Sequence, residues 1–312
     1  MKSLYTSKIP KKFRGSALAI GNFDGVHRGH QKVFLKASNL AKKNKIKFGI
    51  LTFSPLPIMF FNKNLKNYRL TSEKEKNKLL IKYGVNFVIK IKFNKKFSRI
   101  IAQNFIKNII YKKINPKFIL VSDNFKFGHK RKGNVSLLKK LGKKYDYRLI
   151  KVNAHKQQKK IISSSRIRNY LQKGSISLAN KLLSRTWFVE GRVIKGKGRG
   201  RKLGYRTCNI KIKKYILPKF GIYAVKASIK NNKKLYDGIS YLGSRPTFKE
   251  KGVFLETYIL NVKKNLYQKS LKIYFLKFLR KDKKFKNSAK LIDQMNKDLI
   301  YAKKELKTKI AL

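Results

Sequence analysis

Gly21-Asn22-Phe23-Asp24-Gly25-Val26-His27-Arg28-Gly29-His30 is the stretch whose reading decides the fold. A short apolar strand is expected just before it, at 16–20. A helix is expected just after it, with Val33, Ala37, Leu40 and Ala41 on one face. The glycines let the backbone turn tightly and let a ligand come close. Two of the four histidines in the chain fall within these ten residues, where the helix begins. Backbone N–H groups and the helix dipole favour an anion there. Imidazole donors at that point can hold phosphate oxygens and stabilise charge developing on a transferring α-phosphate. The plainer alternative is a turn carrying two surface histidines.

Outward from this turn, strands and helices alternate. Strands are expected at 46–53, 85–93, 118–121 and 147–152. Helices are expected from a capping box at Ser72-x-x-Glu75, near 98–112, near 134–141 with Gly142 as C-cap, near 164–172 and at 177–183. Alternation of this kind implies a parallel sheet covered on both faces. After about Leu183 strands dominate, at 187–194, 221–230, 235–242, 253–261 and 271–278. A final helix near 287–307 carries Leu291, Met295, Leu299 and Ala302 at helical spacing. The expected fold is therefore an α/β Rossmann-like domain over 1–183. A β-barrel domain with a C-terminal helix follows over 184–312.

Composition narrows the class. The chain has 312 residues, 42% hydrophobic and 12% aromatic, which is enough for real cores and argues against disorder. One cysteine, Cys208, excludes an intramolecular disulfide and a cysteine-cluster metal site. No run of 18 apolar residues occurs, and no signal peptide is read at the start, so a cytoplasmic protein without membrane insertion is expected. The formal charge is +67, from 80 basic and 13 acidic residues. Fifteen arginines leave 65 lysines, spread over nearly every segment rather than gathered on one. That spread favours a lysine-rich composition over a dedicated nucleic-acid surface, although polyanions should still bind weakly and with salt dependence.

The second half holds its own candidate site. Gly196-Lys197-Gly198-Arg199-Gly200-Arg201-Lys202-Leu203-Gly204 lacks the Gly-Lys-Ser/Thr ending of a P-loop. A basic glycine-rich loop can still fold over phosphates, and a linker is the alternative. Tyr205-Arg206-Thr207-Cys208-Asn209 follows, and a lone acidic Glu256 lies in Leu255-Glu256-Thr257-Tyr258. A structural ion pair is the alternative reading of Glu256.

These strings, taken in order, resemble the bacterial bifunctional riboflavin kinase/FAD synthetase family over about residues 16–305. The decapeptide resembles its adenylyltransferase signature. Thr52-Phe53-Ser54-Pro55-Leu56-Pro57, Asp123-Asn124-Phe125-Lys126-Phe127-Gly128 and Ile162-Ser163-Ser164-Ser165-Arg166-Ile167-Arg168 resemble further segments of the same module. Leu217-Pro218-x-x-Gly221, Gly243-Ser244-Arg245-Pro246-Thr247-Phe248 and Leu276-x-x-Leu279-Arg280 resemble the kinase module.

The resemblance implies two activities: phosphorylation of riboflavin to FMN by ATP, then adenylylation of FMN to FAD with release of pyrophosphate. It implies catalytic roles for Glu256, His27 and His30. It implies ligand contacts at Gly21, Phe23, Gly29, Asn124, Ser164, Ser165, Arg168, Gly196, Gly198 and Gly204. Thr207 and Asn209 would hold Mg²⁺, whose hard-oxygen preference suits them, and Arg168 would offer a bidentate fork to phosphate. Phe53, Phe125 and Phe127 are equally readable as core or as flavin-stacking rings. ATP, riboflavin and FMN are the partners implied, with no specific nucleic acid, no membrane and at most weak homo-oligomerisation. Ser165 stands where the family has Thr, Arg206 where it has Pro and Cys208 where it has Ala. Two alternatives stay open: an adenylyltransferase with a decayed kinase, and a basic nucleic-acid-binding protein on the same scaffold.

Overall fold

The computed structural model describes residues 1–5, 9–196, 200, 204–230, 232, 234–244, 252–262 and 264–307. Chain contacts divide it into two units. One comprises Met1–Lys66 and Thr71–Ser164, the other Asn67–Leu70 and Ser165–Leu312.

The first unit is built on six strands: β1 (Lys2–Tyr5), β2 (Ala17–Ile20), β3 (Phe48–Ser54), β4 (Phe87–Lys92), β5 (Phe118–Ser122) and β6 (Arg148–Val152). They form one sheet in the order β1-β4-β3-β2-β5-β6, and every pairing is parallel. Its central strands are apolar over most of their length, with polar residues only toward their carboxyl ends, because helices cover both faces. Ala17, Ala19, Ile50, Val88 and Leu120 pack with Phe34 and Ala37 on one side. Leu18, Leu51, Ile89, Ile119 and Val121 pack with Ile106 and Ile110 on the other. The chain leaves β2 toward β3 on one side, while β5 continues the sheet on the other. A crevice therefore opens at the carboxyl ends of β2 and β5, which is where open α/β sheets bind ligands.

Helix α1 (Arg28–Lys43) buries Val33, Phe34, Ala37 and Ala41. A short helix α2 (Pro57–Phe61) follows β3. Helix α3 (Glu73–Lys82) starts at the expected cap, where Ser72 Oγ accepts from the Glu75 N–H at 3.1 Å.

Two helical expectations are corrected. The segment near 98–112 breaks into Lys95–Ser98, a single turn at Ala102–Asn104 and a π-helix, Phe105–Ile114. Nine positions of α-helix make about two and a half turns, which would leave Phe105 and Ile114 on opposite sides. The wider π winding brings Phe105, Ile106, Ile109, Ile110 and Ile114 all into the core. The helix expected to stop at Gly142 instead runs Val135–Lys144. A Cβ at Gly142 would lie 2.8 Å from the Tyr147 carbonyl, so the glycine serves close packing rather than termination. Left-handed Asp146 (φ 49°) makes the turn.

The second unit opens with two helices, Ser164–Gln172 (whose first residue belongs to the first unit) and Ile176–Leu183. The six strands are Phe188–Ile194, Thr207–Lys211, Gly221–Ile229, Leu235–Ser244, Val253–Ile259 and Ser270–Arg280, here β7 to β12 in that order. They close a barrel in the order β8-β11-β10-β9-β12-β7. Strand β8 was not expected. Its residues read as a loop motif, and it is a strand because both neighbours supply ladder partners.

Ile210, Tyr223, Val225, Leu242, Leu255, Ile273 and Phe275 fill the barrel interior. The terminal helix (Ser288–Leu306) lays Ala302 and Leu306 over Ala224, with Ile239 and Leu279 packed alongside. Leu291, Met295 and Leu299 are only half-buried, and Asp298 takes the buried position instead. Its carboxylate accepts from Arg280 Nε at 2.8 Å and Nη2 at 2.6 Å, and from Gln294 Nε2 at 3.0 Å. Arg280 is half-buried and Asp298 buried, so removing the arginine would leave a buried carboxylate without its counter-charge.

Candidate functional site

In the first unit the backbone turns out of β2 through Phe23 (φ 51°), Gly25 (φ 84°) and Val26 (φ 42°). Left-handed geometry at a phenylalanine and a β-branched valine is strained, and it persists only where surrounding bonds over-determine it. Those bonds are present. Gly21 N donates to Leu51 O, and Gly25 N donates to Thr71 Oγ1 at 3.3 Å. Asp24, itself buried, accepts the Thr71 N–H at 3.4 Å and, through its carbonyl, the Ser164 hydroxyl at 2.8 Å. Gln31 Nε2 donates to Val26 O at 2.9 Å.

The turn delivers His27 to the N-cap of α1 and His30 into its first turn, with the two rings stacked at 3.6 Å between centroids. His27 is buried, and the buried Phe23 ring lies edge-on to both His30 and Phe34. A Cβ at Gly29 would sit 3.2 Å from the His27 ring and 3.3 Å from the Ile162 carbonyl, so glycine keeps this approach open. Burial, with Arg28 and Lys32 beside it, holds the nearby His155 imidazole below its ordinary pKa. The entrance to the helix is thus cationic, as an anion site requires.

Asn124 stands exposed just past the end of β5, its Oδ1 accepting from Ser122 Oγ at 2.8 Å. It and the histidine turn therefore flank the crevice between β2 and β5. Phe127 is core; Phe53 and Phe125 are half-buried against the same cluster. A chain of ring contacts runs from Phe53 through Phe93 to Phe60 and Phe61, and the Phe61 ring is 70% exposed.

Two residues that sequence reasoning missed complete this region. Lys76 is buried, and its ammonium donates to Asn22 O at 2.8 Å and Thr52 Oγ1 at 3.1 Å. Thr71 grips Asp24 and Gly25 as above. Lysine carries no signal in a chain with 65 of them. The one available clue is that Lys76 falls three and four residues before Leu79 and Leu80, on the buried face of α3.

Within the second unit, Arg168 is buried and lies over the Tyr68 ring at 3.8 Å, with Nε donating to Tyr68 O at 2.9 Å. Ser165 is exposed. On the barrel, Asn209 of β8 pairs with Glu256 of β11, and Glu256 pairs with Tyr241 of β10. Directly paired residues share a face, so Asn209, Glu256 and Tyr241 form one row on the outside of the barrel, and Thr207 lies two residues along on the same face. Ile210, Leu242 and Leu255, one residue away, point inward and are fully buried.

The glycine-rich segment meets this row. A Cβ at Gly196 would lie 2.4 Å from Asn209 Nδ2, and one at Gly200 would lie 3.3 Å from Thr207 Oγ1. Asn209 Oδ1 is buried without a hydrogen-bond partner among the described residues. Gly204 is exposed with φ 83°, and Gly198, like Arg245 to Phe248, lies outside the described residues. Arg206 is exposed. Burial pushes the Cys208 thiol up to about 11, so it stays neutral. Tyr205 packs on Tyr258 and donates to Asn296 of the terminal helix.

Comparison with known proteins matches these two regions to two families. The FAD synthetase family matches residues 9–166, and the riboflavin kinase family matches residues 183–306. A Buchnera aphidicola (subsp. Schizaphis graminum) protein named bifunctional riboflavin kinase/FMN adenylyltransferase is 41% identical, with 93% of each chain covered. Proteins of the same name from Escherichia coli K12 and Bacillus subtilis are 32% and 33% identical, over 95% and 91% of this chain and 94% and 90% of theirs. A Streptococcus pneumoniae crystal structure described as a macrolide-efflux protein superposes with a TM-score of 0.84 at 26% identity, covering 97% of this chain and 99% of that one. In the present chain no helix among the described residues is long and apolar enough to cross a membrane.

Proposed function

Because the chain belongs to the bifunctional riboflavin kinase/FMN adenylyltransferase family, we propose that its two sites perform successive ATP-dependent reactions on one flavin. The enzyme phosphorylates riboflavin to FMN and adenylylates FMN to FAD. We assign the second reaction to a domain spanning 1–183 and the first to 184–312.

In the kinase reaction the flavin 5′-hydroxyl oxygen attacks the γ-phosphorus of ATP, and ADP leaves. Glu256 takes or orients the hydroxyl proton, a role worth about 10²–10⁴ in rate. Thr207 and Asn209 are the residues that would hold a magnesium ion bound with the nucleotide, which would neutralise phosphate charge. The buried Oδ1 of Asn209, without a hydrogen-bond partner among the described residues, fits that use. A magnesium ion carried by phosphates needs only one or two protein oxygens rather than a full cage. Gly196, Gly198 and Gly204 belong to the loop that would cover those phosphates. The exposed Arg206 leaves the path of β8 intact, which favours an active kinase over a decayed one.

In the adenylyl transfer a phosphate oxygen of FMN attacks the α-phosphorus of a second ATP, and pyrophosphate leaves. His27 and His30 donate to oxygens whose charge grows in the transition state. Gly29 keeps the helix end open, Gly21 and Phe23 set the turn, and Asn124 faces the adenosine half from β5. Ser164, Ser165 and Arg168 are assigned to phosphate by their motif. The exposed Phe61 ring, next to the Thr-Phe-Ser-Pro-Leu-Pro segment, is offered as the flavin platform. A lone cysteine and ATP as co-substrate suit the cytoplasm, and the dispersed lysines give no reason for a nucleic-acid partner or for more than weak self-association.

The observation that carries this reading is the stacked histidine pair at the start of α1, at the β2/β5 crevice. Incubation with riboflavin, ATP and Mg²⁺, followed by chromatographic separation, tests it. FMN should appear first and FAD after it. FMN without FAD would remove the adenylyltransferase assignment, and FAD formed only from added FMN would remove the kinase assignment.

A further inference from the structure

We propose that Lys76 is a positioning residue for adenylyl transfer, acting through the histidine turn. This deepens the adenylyltransferase reading and rests on it. Among the described residues Lys76 is the one buried lysine, at 3% exposure. Placing an ammonium out of water is costly unless partners compensate it. Its compensation is specific. Nζ donates to the Asn22 carbonyl at 2.8 Å and to Thr52 Oγ1 at 3.1 Å, while Thr52 Oγ1 donates to the same carbonyl at 3.2 Å. One backbone oxygen thus receives a charged and a neutral donor, from α3 and from the end of β3.

That oxygen belongs to the residue before the strained turn. Phe23 and Val26 hold left-handed φ values of 51° and 42°. Conformations of this sort persist only where surrounding contacts over-determine them, and they relax when a restraint is removed. A charge-assisted hydrogen bond is about twice as strong as a neutral one, so the ammonium is a firm restraint at the entry to the turn. Relaxation would shift His27 and His30, and a displacement of about 1 Å in a catalytic group can cost on the order of 10² in rate. Lys76 need not touch substrate for this effect.

The test uses the full chain with Lys76→Met, which keeps length and apolar bulk but removes the donors, and Lys76→Arg, which keeps charge and donors. FAD formation from FMN and ATP and riboflavin phosphorylation are measured on the same preparations. For Lys76→Met, kcat of FAD formation should fall about 30- to 100-fold while KM for FMN stays within about threefold. Riboflavin phosphorylation should stay within about twofold, and Lys76→Arg should recover much of the lost kcat. FAD formation within threefold of wild type in Lys76→Met would overturn the proposal. So would equal loss of both activities, which marks a general packing role. If Lys76→Met does not fold, Thr52→Val removes one partner of the ammonium. A drop of about 5- to 10-fold in kcat supports the proposal there, and an unchanged kcat overturns it. A wild-type chain that makes no FAD sinks the adenylyltransferase reading and this proposal together. An active wild type with an equally active variant sinks the proposal alone.

Discussion

The histidine turn and the barrel row bring their candidate functional groups together in opposite ways. In the turn, His27 and His30 are three residues apart, and the backbone carries the cost of placing them: two non-glycine residues in left-handed geometry, braced by bonds from residues 51 to 164. In the row, Asn209 and Glu256 are 47 residues apart, and ordinary strand register brings them together without unusual dihedrals. Site precision comes from braced strain in the first case and from a closed hydrogen-bonded ladder in the second. The turn should therefore be sensitive to its distant braces, whereas the row should be sensitive mainly to the side chains it displays.

The largest effect expected from this difference belongs to the turn. His27→Ala combined with His30→Ala should lower FAD formation by at least about 10³-fold, since loss of a single positioned donor costs about 10²–10³. Riboflavin phosphorylation, measured in parallel as FMN release, should be unchanged. Loss of both activities in a folded double mutant would break the division of labour between the regions.

Glu256→Gln should do the reverse, lowering FMN formation by about 10²–10⁴-fold while FMN-to-FAD conversion continues. Wild-type phosphorylation in this variant would remove Glu256 from the row's chemistry.

A smaller effect sharpens the account of the row itself. Thr207→Ala should reduce initial FMN formation by about 10-fold or more and raise the Mg²⁺ concentration needed, because one oxygen donor is lost from a few. Arg206→Pro should stay within about twofold, because a proline compatible with its loop changes stability by only about 0.4–1 kcal/mol. An inactive wild type rescued by Arg206→Pro would restore the decayed-kinase alternative.

A test on the wall of the row, read in chemical reactivity rather than turnover, concerns Cys208. With its thiol pushed up to about 11 from an ordinary 9, the thiolate fraction at pH 8 is about 100-fold below that of an unperturbed thiol. Alkylation by iodoacetamide should be slowed by about that factor. The sign for stability follows. The folded state holds this proton more tightly than the unfolded state, so the contribution is full below pH 9 and is lost as pH rises toward 11. Rapid alkylation at pH 8, read by mass spectrometry, would show that the barrel wall opens at β8.

Much of this could be read before any coordinates. The parallel sheet followed from apolar runs spaced by helical patterns, and the Ser72 cap formed as its capping-box spacing requires. The juxtaposition of His27 and His30 was legible because both lie in one unbroken string at a strand-to-helix junction. Glu256 was singled out only through resemblance, since a lone carboxylate in a strand has no local signature, and its proposed role awaits the substitution above. Lys76 was illegible, because 64 other lysines share its letter and only packing separates a buried one from a solvated one. The π winding at 105–114, the continuation of the helix through Gly142 and the existence of β8 were likewise missed. Each depends on a partner distant in sequence: a core face to fill, the Tyr147 carbonyl to pass, or two strands to pair. The sequence by itself determined which residue types stand at strand ends and helix starts, because those choices answer to local backbone geometry and hydrophobic period. The tertiary structure alone decided which lysine is buried, which asparagine faces a glutamate and which carbonyl braces the turn. Such contacts are made between segments whose order along the chain says nothing about their distance in space.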